Sequence, residues 1–233
     1  MIKIRDRNDR GKTDAGWLKS EHSFSFGHYQ NPNYMGFGPL RVINEDRVIP
    51  GAGFGTHPHA NMEIVSYVLS GALEHKDSMG TGSVIKPGEI QRMSAGTGVT
   101  HSEYNHSQDE KVHFLQIWFL PEKNGLEPGY EQKSFSNDEK RGVLKLVMSR
   151  DGREDTVSLN QDVDMYVSLM SEKDNIEFSP KPNRLQWLQV AVGQVEVNGL
   201  LLKSGDGAAI KGEYKLNLNN AINAEVILFD MKS

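Results

Sequence analysis

Two short motifs between residues 51 and 105 constrain this chain more than any other feature. One carries His57 and His59, and the other carries His101 and Glu103, so each places two metal-ligating side chains two positions apart. Successive side chains of a β-strand point to opposite faces, so residues two apart share a face. If both segments are extended and face each other across a small barrel, three imidazoles and one carboxylate converge. The pattern predicts a metal site with room left for solvent or substrate.

The histidines are confined to the front half of the chain, which we therefore expect to carry the chemistry. His113 lies in an apolar segment and is interpreted as a hydrogen-bonded interior imidazole. Four others lie in polar or turn-rich surroundings, where surface exposure or local hydrogen bonding is the simpler interpretation: His22, His28, His75 and His106.

Composition excludes several classes of function. The formal charge is -5 and no run of lysines or arginines is present, which argues against direct nucleic-acid binding but not against a protein partner. There is no cysteine, so a metal must use nitrogen and oxygen ligands. The polar start of the chain and the lack of a long apolar stretch predict a soluble, cytoplasmic protein without membrane contact.

Short apolar runs separated by Gly, Pro and Asp turns predict an all-β sandwich or barrel with little helix. Residues 1–50 are rich in turn signals and aromatic side chains, which we expect to pack at the mouth or flank of the following unit. Residues 112–120 are apolar on both faces and predict a central strand covered on both sides. Strands are expected at 62–69, 73–77, 83–86, 90–94 and 111–120, and later at 143–148, 163–170, 185–192, 195–198, 207–211, 214–218 and 224–230.

The polar segment 121–137 predicts a division into two domains, residues 1–133 and 134–233. The second half repeats the rhythm of strands and turns seen in the first half, and it contains no histidine. We therefore interpret the second domain as a diverged copy that has lost the metal ligands.

The motifs resemble the two signatures of the cupin superfamily. The first signature is met by Gly51, His57, His59 and Glu63, with Gly71 one residue late, and the second by Gly98, His101 and Asn105, with Gly96 in place of a proline. More narrowly, the segments 54–59, 67–71, 77–80, 93–98 and 101–103 resemble the pirin family, and the likeness spans nearly the whole chain. Within that family the chain is most similar to bacterial pirin-like quercetin 2,3-dioxygenases.

The resemblance implies a bicupin, in which two β-barrels lie face to face and the N-terminal barrel holds one metal ion. Carried over position by position, the metal ligands are His57, His59, His101 and Glu103. Glu63 occupies the usual cupin ligand position, and strand parity alone does not choose between the two glutamates. Following the pirins, we assign Glu103 as the ligand and expect Glu63 to orient a ligand imidazole.

This ligand set suits Fe(II), Zn, Co, Ni or Cu, and the resemblance favours Fe(II). It implies a dioxygenase that opens flavonols such as quercetin with release of carbon monoxide, with Glu103 receiving the phenolic proton. Phe26, Phe37 and Phe54 are candidates for an apolar mouth that contacts a flat aromatic substrate. A metal-binding regulatory protein that acts through protein partners is the alternative, and another cupin chemistry such as isomerisation is a third possibility.

Overall fold

The computed structural model describes residues 1–233 and is built almost entirely of β-strands. The strands up to the chain's midpoint are β1 (Ile2–Arg5), β2 (Gly11–Asp14), β3 (Leu18–His22), β4 (Leu40–Val48), β5 (Gly53–His59), β6 (Glu63–Ser70), β7 (Leu73–Asp77), β8 (Gly82–Ile85), β9 (Glu89–Ser94), β10 (Val99–Asn105) and β11 (Val112–Phe119). The remaining strands are β12 (Gly129–Ser134), β13 (Lys145–Ser149), β14 (Val157–Ser158), β15 (Val163–Met170), β16 (Ile176–Phe178), β17 (Arg184–Val197), β18 (Leu200–Lys203), β19 (Gly207–Lys211) and β20 (Leu216–Lys232).

Helix is confined to α1 (Asn137–Lys140) and two short 3-10 turns, Arg7–Asp9 and Arg153–Asp155. The predicted all-β class with little helix is therefore confirmed. None of these helices has the length and apolar character needed to cross a bilayer.

The chain forms two compact units. The N-terminal unit comprises Gly11–Ser134 with Val157–Gln161, and the C-terminal unit comprises Met1–Arg10, Phe135–Thr156 and Asp162–Ser233. Strand β1 belongs to the C-terminal unit because it pairs antiparallel with β19. A single division at residue 133 would assign residues 1–10 to the first domain and residues 157–161 to the second, whereas each segment belongs to the other unit. The interpretation of the second domain as a degenerate cupin stays a prediction.

The N-terminal unit contains two antiparallel sheets. The smaller one has the strand order β5-β10-β7-β8, and the larger one has the order β12-β9-β6-β11-β4-β3-β2. Strand β11 pairs with β6 on one side and with β4 on the other, which confirms the central strand predicted from its apolar sequence. Phe114, Ile117 and Phe119 of this strand are fully buried in the core.

The first fifty residues are more ordered than their turn signals predicted. They contain four strands, β1 to β4, which the sequence pattern had not identified as strands. Strand β4 was overlooked because polar residues interrupt its apolar pattern, yet Asn44, Glu45 and Asp46 are all buried. Pairing with β3 and β11 satisfies the backbone of this segment and overrides its weak local preference.

The C-terminal unit is a single sheet with the main order β1-β19-β17-β20-β15-β13. Its long strands β17 and β20 each join two segments that the sequence predicted as separate strands. Gly193, at φ 71°, lies within β17 beside a register shift, so the glycine marks a bulge rather than the end of the strand. A large apolar core, including Leu188, Val226 and Leu228, stabilises this sheet.

Candidate metal centre

The two histidine motifs lie on neighbouring strands of the smaller sheet. Strand β5 pairs with β10 in antiparallel register, with His57 opposite His101 and His59 opposite Val99. The expectation that the two pairs face each other across a barrel was wrong, because direct strand pairing brings them together. A register shift between His101 and Glu103 places Glu103 opposite Phe54.

A close approach of the two backbones at the start of β5 fixes this arrangement. A Cβ atom on Gly53 would lie 2.2 Å from the carbonyl oxygen of Glu103 and 2.5 Å from the Cα of Tyr104. Only glycine permits β5 and β10 to approach this closely. From Gly53 onward β5 then carries His57 and His59 half-buried on one face, while Thr56 and Pro58 are exposed on the other.

Three imidazoles converge as the sequence pattern predicted. The nitrogens of His57, His59 and His101 that could bind a metal lie within 4.8 Å of one another. The ring centroids are 4.8 Å apart for His57 and His59, 4.5 Å for His57 and His101, and 5.0 Å for His59 and His101. Imidazoles at these distances can share one cation.

The hydrogen bonds of these histidines leave nitrogens available to a metal. Nδ1 of His57 lies 2.7 Å from the carbonyl oxygen of Gly55, which can only accept, so Nδ1 carries the proton and Nε2 keeps its lone pair. Nε2 of His59 and both ring nitrogens of His101 are buried without a hydrogen-bond partner. Buried polar atoms normally have partners, so this cluster fits a bound divalent transition ion.

The electrostatic environment keeps two of the imidazoles neutral. Burial, together with a smaller contribution from the neighbouring His57, lowers the pKa of His59 to about 4. Burial likewise lowers the pKa of His101 to about 3, with contributions from His57, His59 and His75. Neutral imidazole is the form that binds metals, so the site is ready for a cation near neutral pH.

Glu103 lies beside the histidine cluster and is held by the larger sheet. Its Oε1 accepts hydrogen bonds from Nε2 of Gln116 at 2.6 Å and from the hydroxyl of Ser66 at 3.3 Å. Its carboxylate groups with His75 and His101, with potential ligand atoms within 4.8 Å of one another. The pKa of Glu103 is raised to about 7 by burial, against the lowering effect of the two hydrogen bonds.

His75 is part of this region, and of the two interpretations that the sequence left for it, local hydrogen bonding is confirmed whereas surface exposure is wrong. It lies on β7 opposite Glu103, and its side chain is fully buried. Nε2 of His75 is 3.0 Å from Oδ2 of Asp77, while Nδ1 has no partner. Leu73, His75 and Asp77 alternate on one face of β7, which is the only sequence signal that His75 is buried. A histidine near an aspartate also occurs at protein surfaces, so the sequence alone could not place His75 in the interior.

Glu63 does not orient a ligand imidazole, so that expectation was wrong. Its carboxylate accepts hydrogen bonds from the hydroxyl of Ser94 at 2.9 Å and from the backbone and side-chain nitrogens of Asn160 at 3.2 and 3.3 Å. Glu63 begins β6 in the larger sheet, opposite Ser94 of β9. It therefore ties residues 157–161 to the N-terminal unit.

The remaining histidines lie apart from the three-imidazole cluster. His22 is buried and bonds Asn44 and Thr13, so its predicted local bonding is confirmed but surface exposure is not. His28 and His106 are exposed, as the sequence suggested. His113 is satisfied through Oε1 of Glu45 at 2.9 Å, although its side chain is partly exposed.

A cavity of about 330 Å³ opens beside the cluster. Of the three phenylalanines proposed for a substrate mouth, Phe26 and Phe54 line it, whereas Phe37 does not. Trp118 is a lining residue that the sequence did not single out, and its ring lies 4.9 Å from that of His59. The full lining comprises Thr13, Leu18, Ser20, His22, Phe26, Asn44, Asp46, Phe54, His57, His59, Ile64, His101, Glu103, Gln116 and Trp118.

Comparison with known proteins agrees with the fold and with the histidine motifs. The Pirin family matches residues 3–119, and the quercetinase C-terminal cupin domain matches residues 146–231. A protein of Escherichia coli (strain K12) named quercetin 2,3-dioxygenase is 45% identical over 231 residues, covering 99% of each chain. A pirin-like protein of Caulobacter vibrioides is 36% identical over 231 residues, again covering 99% of each chain.

Solved structures give the same result. The crystal structure of YhhW from Escherichia coli superposes with a TM-score of 0.95 at 44% identity, covering 99% of this chain and 97% of that chain. Its complex with nickel(II), described as a bacterial pirin, has a TM-score of 0.93 at 44% identity, covering 100% of this chain and 99% of that chain. With both cupin domains matched along its length, the chain belongs to the pirin family of the cupin superfamily.

Proposed function

We propose that the protein is a metal-dependent dioxygenase that cleaves flavonols such as quercetin. The observation that carries this proposal is the convergence of three imidazoles on a cavity whose lining includes the aromatic side chains of Phe26, Phe54 and Trp118. Two of these imidazoles have buried nitrogens without a hydrogen-bond partner. A cavity of this kind accepts a flat aromatic molecule. The full-length relative from Escherichia coli that bears the name quercetin 2,3-dioxygenase supports the same activity.

His57, His59, His101 and Glu103 are proposed as the ligands of one divalent ion. The separation of the three imidazole nitrogens supports the histidines, and the closeness of Glu103 to His101 supports the carboxylate. Fe(II) is proposed as the cellular metal because a mixed nitrogen and oxygen set with open positions suits iron oxygenases. The related pirin from Escherichia coli was solved in complex with nickel(II), which supports a site that accepts other divalent ions as well.

When bound, the ion would lower the pKa of a coordinated phenolic hydroxyl and so favour its ionised form. Glu103 is proposed to receive that proton, because its carboxylate is buried at the cavity wall and held in place by Gln116 and Ser66. Phe26 and Phe54 exclude water and hold the aromatic rings. Flavonol and dioxygen then give a ring-opened ester and carbon monoxide, a balance that needs no added reductant.

The test is aerobic turnover by the metal-loaded protein. The protein is incubated anaerobically with Fe(II), and quercetin and air are then added while flavonol absorbance and carbon monoxide are followed. We expect loss of absorbance with release of about one carbon monoxide per flavonol, and neither with His57→Ala. If the folded, metal-loaded protein bleaches no flavonol, the proposal fails and the metal-binding regulatory function takes its place.

A further inference from the structure

A band of polar side chains crosses the inner face of the larger sheet, at positions that the core of a β-barrel normally fills with apolar residues. Strand pairing places Ser20 opposite Asp46, His22 opposite Asn44, and Asn44 opposite Gln116. All five of these residues are buried, and all five line the cavity. Burying this many polar groups is costly unless each finds a partner, so the band calls for an explanation beyond packing.

Part of the band is satisfied within the protein. His22 bonds Asn44 through Nδ1 at 2.8 Å and Thr13 through Nε2 at 3.0 Å. Gln116 donates through Nε2 to Oε1 of Glu103 at 2.6 Å. The bond to Glu103 fixes the amide orientation of Gln116 when Glu103 is ionised, since a carboxylate can only accept.

Two acceptor atoms of the band have no partner. Oδ1 of Asp46 and Oε1 of Gln116 are buried and accept no hydrogen bond from the protein. The side chains of both residues are more than nine-tenths buried, with Asp46 3% and Gln116 6% exposed. Both residues line the cavity, so their side chains border the space that a bound molecule would occupy. A buried acceptor without a donor destabilises the folded protein, and a donor on a bound ligand would remove this cost.

We propose that Asp46, assisted by Gln116, accepts hydrogen bonds from hydroxyl groups of the bound aromatic molecule and thereby selects polyhydroxylated phenols over less hydroxylated ones. This inference rests on the proposed function, which identifies the ligand as a flavonol. It adds the residues that bind the ring hydroxyl groups. Asp46 lies on β4 of the larger sheet, whereas the three histidines lie on β5 and β10 of the smaller one. The metal cluster would hold one hydroxyl, and Asp46 would hold another.

The indole of Trp118 complements these acceptors. Its Nε1 is a buried donor without a partner in the protein, and its ring packs against Phe26 with centroids 5.5 Å apart. A ligand that satisfies the whole cavity therefore carries hydroxyl donors and an oxygen acceptor on an aromatic frame. A hydroxylated flavone has all three features.

The experiment measures binding rather than turnover. Calorimetric titrations at pH 8 compare quercetin with 3-hydroxyflavone, which lacks the additional ring hydroxyls, on protein loaded with redox-inert Zn(II). We expect the wild-type protein to bind quercetin at least about tenfold more tightly. Asp46→Leu should abolish most of this preference by weakening quercetin alone, with 3-hydroxyflavone changed less than about twofold. Asp46→Asn, which keeps the shape of the side chain, should weaken quercetin in the same direction by a smaller factor.

Gln91→Leu provides a matched control. Gln91 lies on β9 of the same sheet, is 1% exposed and also has an unpartnered Oε1, but it does not line the cavity. Its replacement should leave both affinities unchanged. Three results would overturn the proposal. They are an equal loss of quercetin affinity in Gln91→Leu and Asp46→Leu, an unchanged affinity ratio of quercetin to 3-hydroxyflavone in both Asp46 variants, and no binding of either flavonol.

The inference and the proposed function fail in different ways. If the Fe(II) protein cleaves quercetin but the Asp46 variants keep the preference for quercetin over 3-hydroxyflavone, the role of Asp46 is refuted and the dioxygenase function is retained. If binding selectivity depends on Asp46 but the Fe(II) protein cleaves no flavonol, the dioxygenase function is refuted and the recognition site is retained.

Discussion

Replacing Glu63 and Glu103 separately by alanine distinguishes a structural carboxylate from a metal ligand. Glu63 is 1% exposed and accepts three hydrogen bonds, from Ser94 at 2.9 Å and from two nitrogens of Asn160 at 3.2 and 3.3 Å. Hydrogen bonds to a charged group contribute about 1.5–3 kcal/mol each, and their sum is reduced here because two of the bonds are long. We expect Glu63→Ala to lower the free energy of unfolding by about 3–5 kcal/mol, which corresponds to a fall in Tm of roughly 10 °C.

Glu103→Ala should have the opposite effect, with a smaller loss of stability and a larger loss of metal affinity than Glu63→Ala. It removes a buried carboxyl whose pKa is raised to about 7 by burial, so its loss should cost less stability than that of Glu63. Metal affinity should fall by more than the roughly 10- to 100-fold typical of residues that only support a ligand. Bound metal is measured by elemental analysis after dialysis, and stability by urea unfolding.

The comparison is decided on folded protein. Glu63→Ala and Glu63→Gln should each retain about one metal ion per folded chain, while Glu103→Ala should not. A folded Glu63→Ala that has lost its metal, beside a Glu103→Ala that keeps it, would refute the assignment of Glu103 and return the carboxylate ligand to the position usual among cupins.

Three further predictions concern the same unit. Gly53→Ala should weaken metal binding and stability, because a Cβ would lie 2.2 Å from the backbone oxygen of Glu103 and force β5 away from β10. Gly55→Ala is the control, because its Cβ would meet nothing nearer than 3.8 Å. Equal metal affinity in the two variants would contradict the proposed role of Gly53. Burial raises the pKa of Asp46 from 3.8 to about 7, so the folded protein binds this proton more tightly than the unfolded chain and loses stability as pH rises through that interval. Asp46→Asn should flatten this fall in urea unfolding at pH 5 and pH 8, and an unchanged slope would refute the burial argument. Chelation should lower Tm, and a divalent ion at about 100 times its Kd should restore about 2.7 kcal/mol in the wild-type protein but not in His57→Ala.

Much of the architecture could be predicted from the sequence because its signals are local. Alternating apolar residues and turn residues identified an all-β chain, and the predicted bounds of β7, β15 and β19 agree with the structure. The apolar run 112–120 identified the central strand. The spacing of His57 and His59 predicted two imidazoles on one face, since this follows from strand periodicity alone. The approach of His101 was also predicted, but it depends on the pairing of β5 with β10.

Other features depended on contacts between distant segments, which no local pattern records. Strand β4 reads as polar, and only its pairing with β3 and β11 makes Asn44 and Asp46 part of a buried wall. Strand parity left Glu63 and Glu103 equivalent, and the tertiary structure separated them by giving Glu63 to Ser94 and Asn160. His75 could not be distinguished from a surface histidine until β7 paired with β10.

The sequence by itself determined the strand periodicity, the nitrogen and oxygen character of any metal site, and the residues that could converge, because these follow from residue type and spacing. Only the tertiary structure decided which strands are neighbours, which carboxylate faces the imidazoles, and which acceptors line the cavity. The physical reason is that hydrogen-bond partners and burial are set by non-local strand pairing, whereas periodicity is a property of the backbone alone.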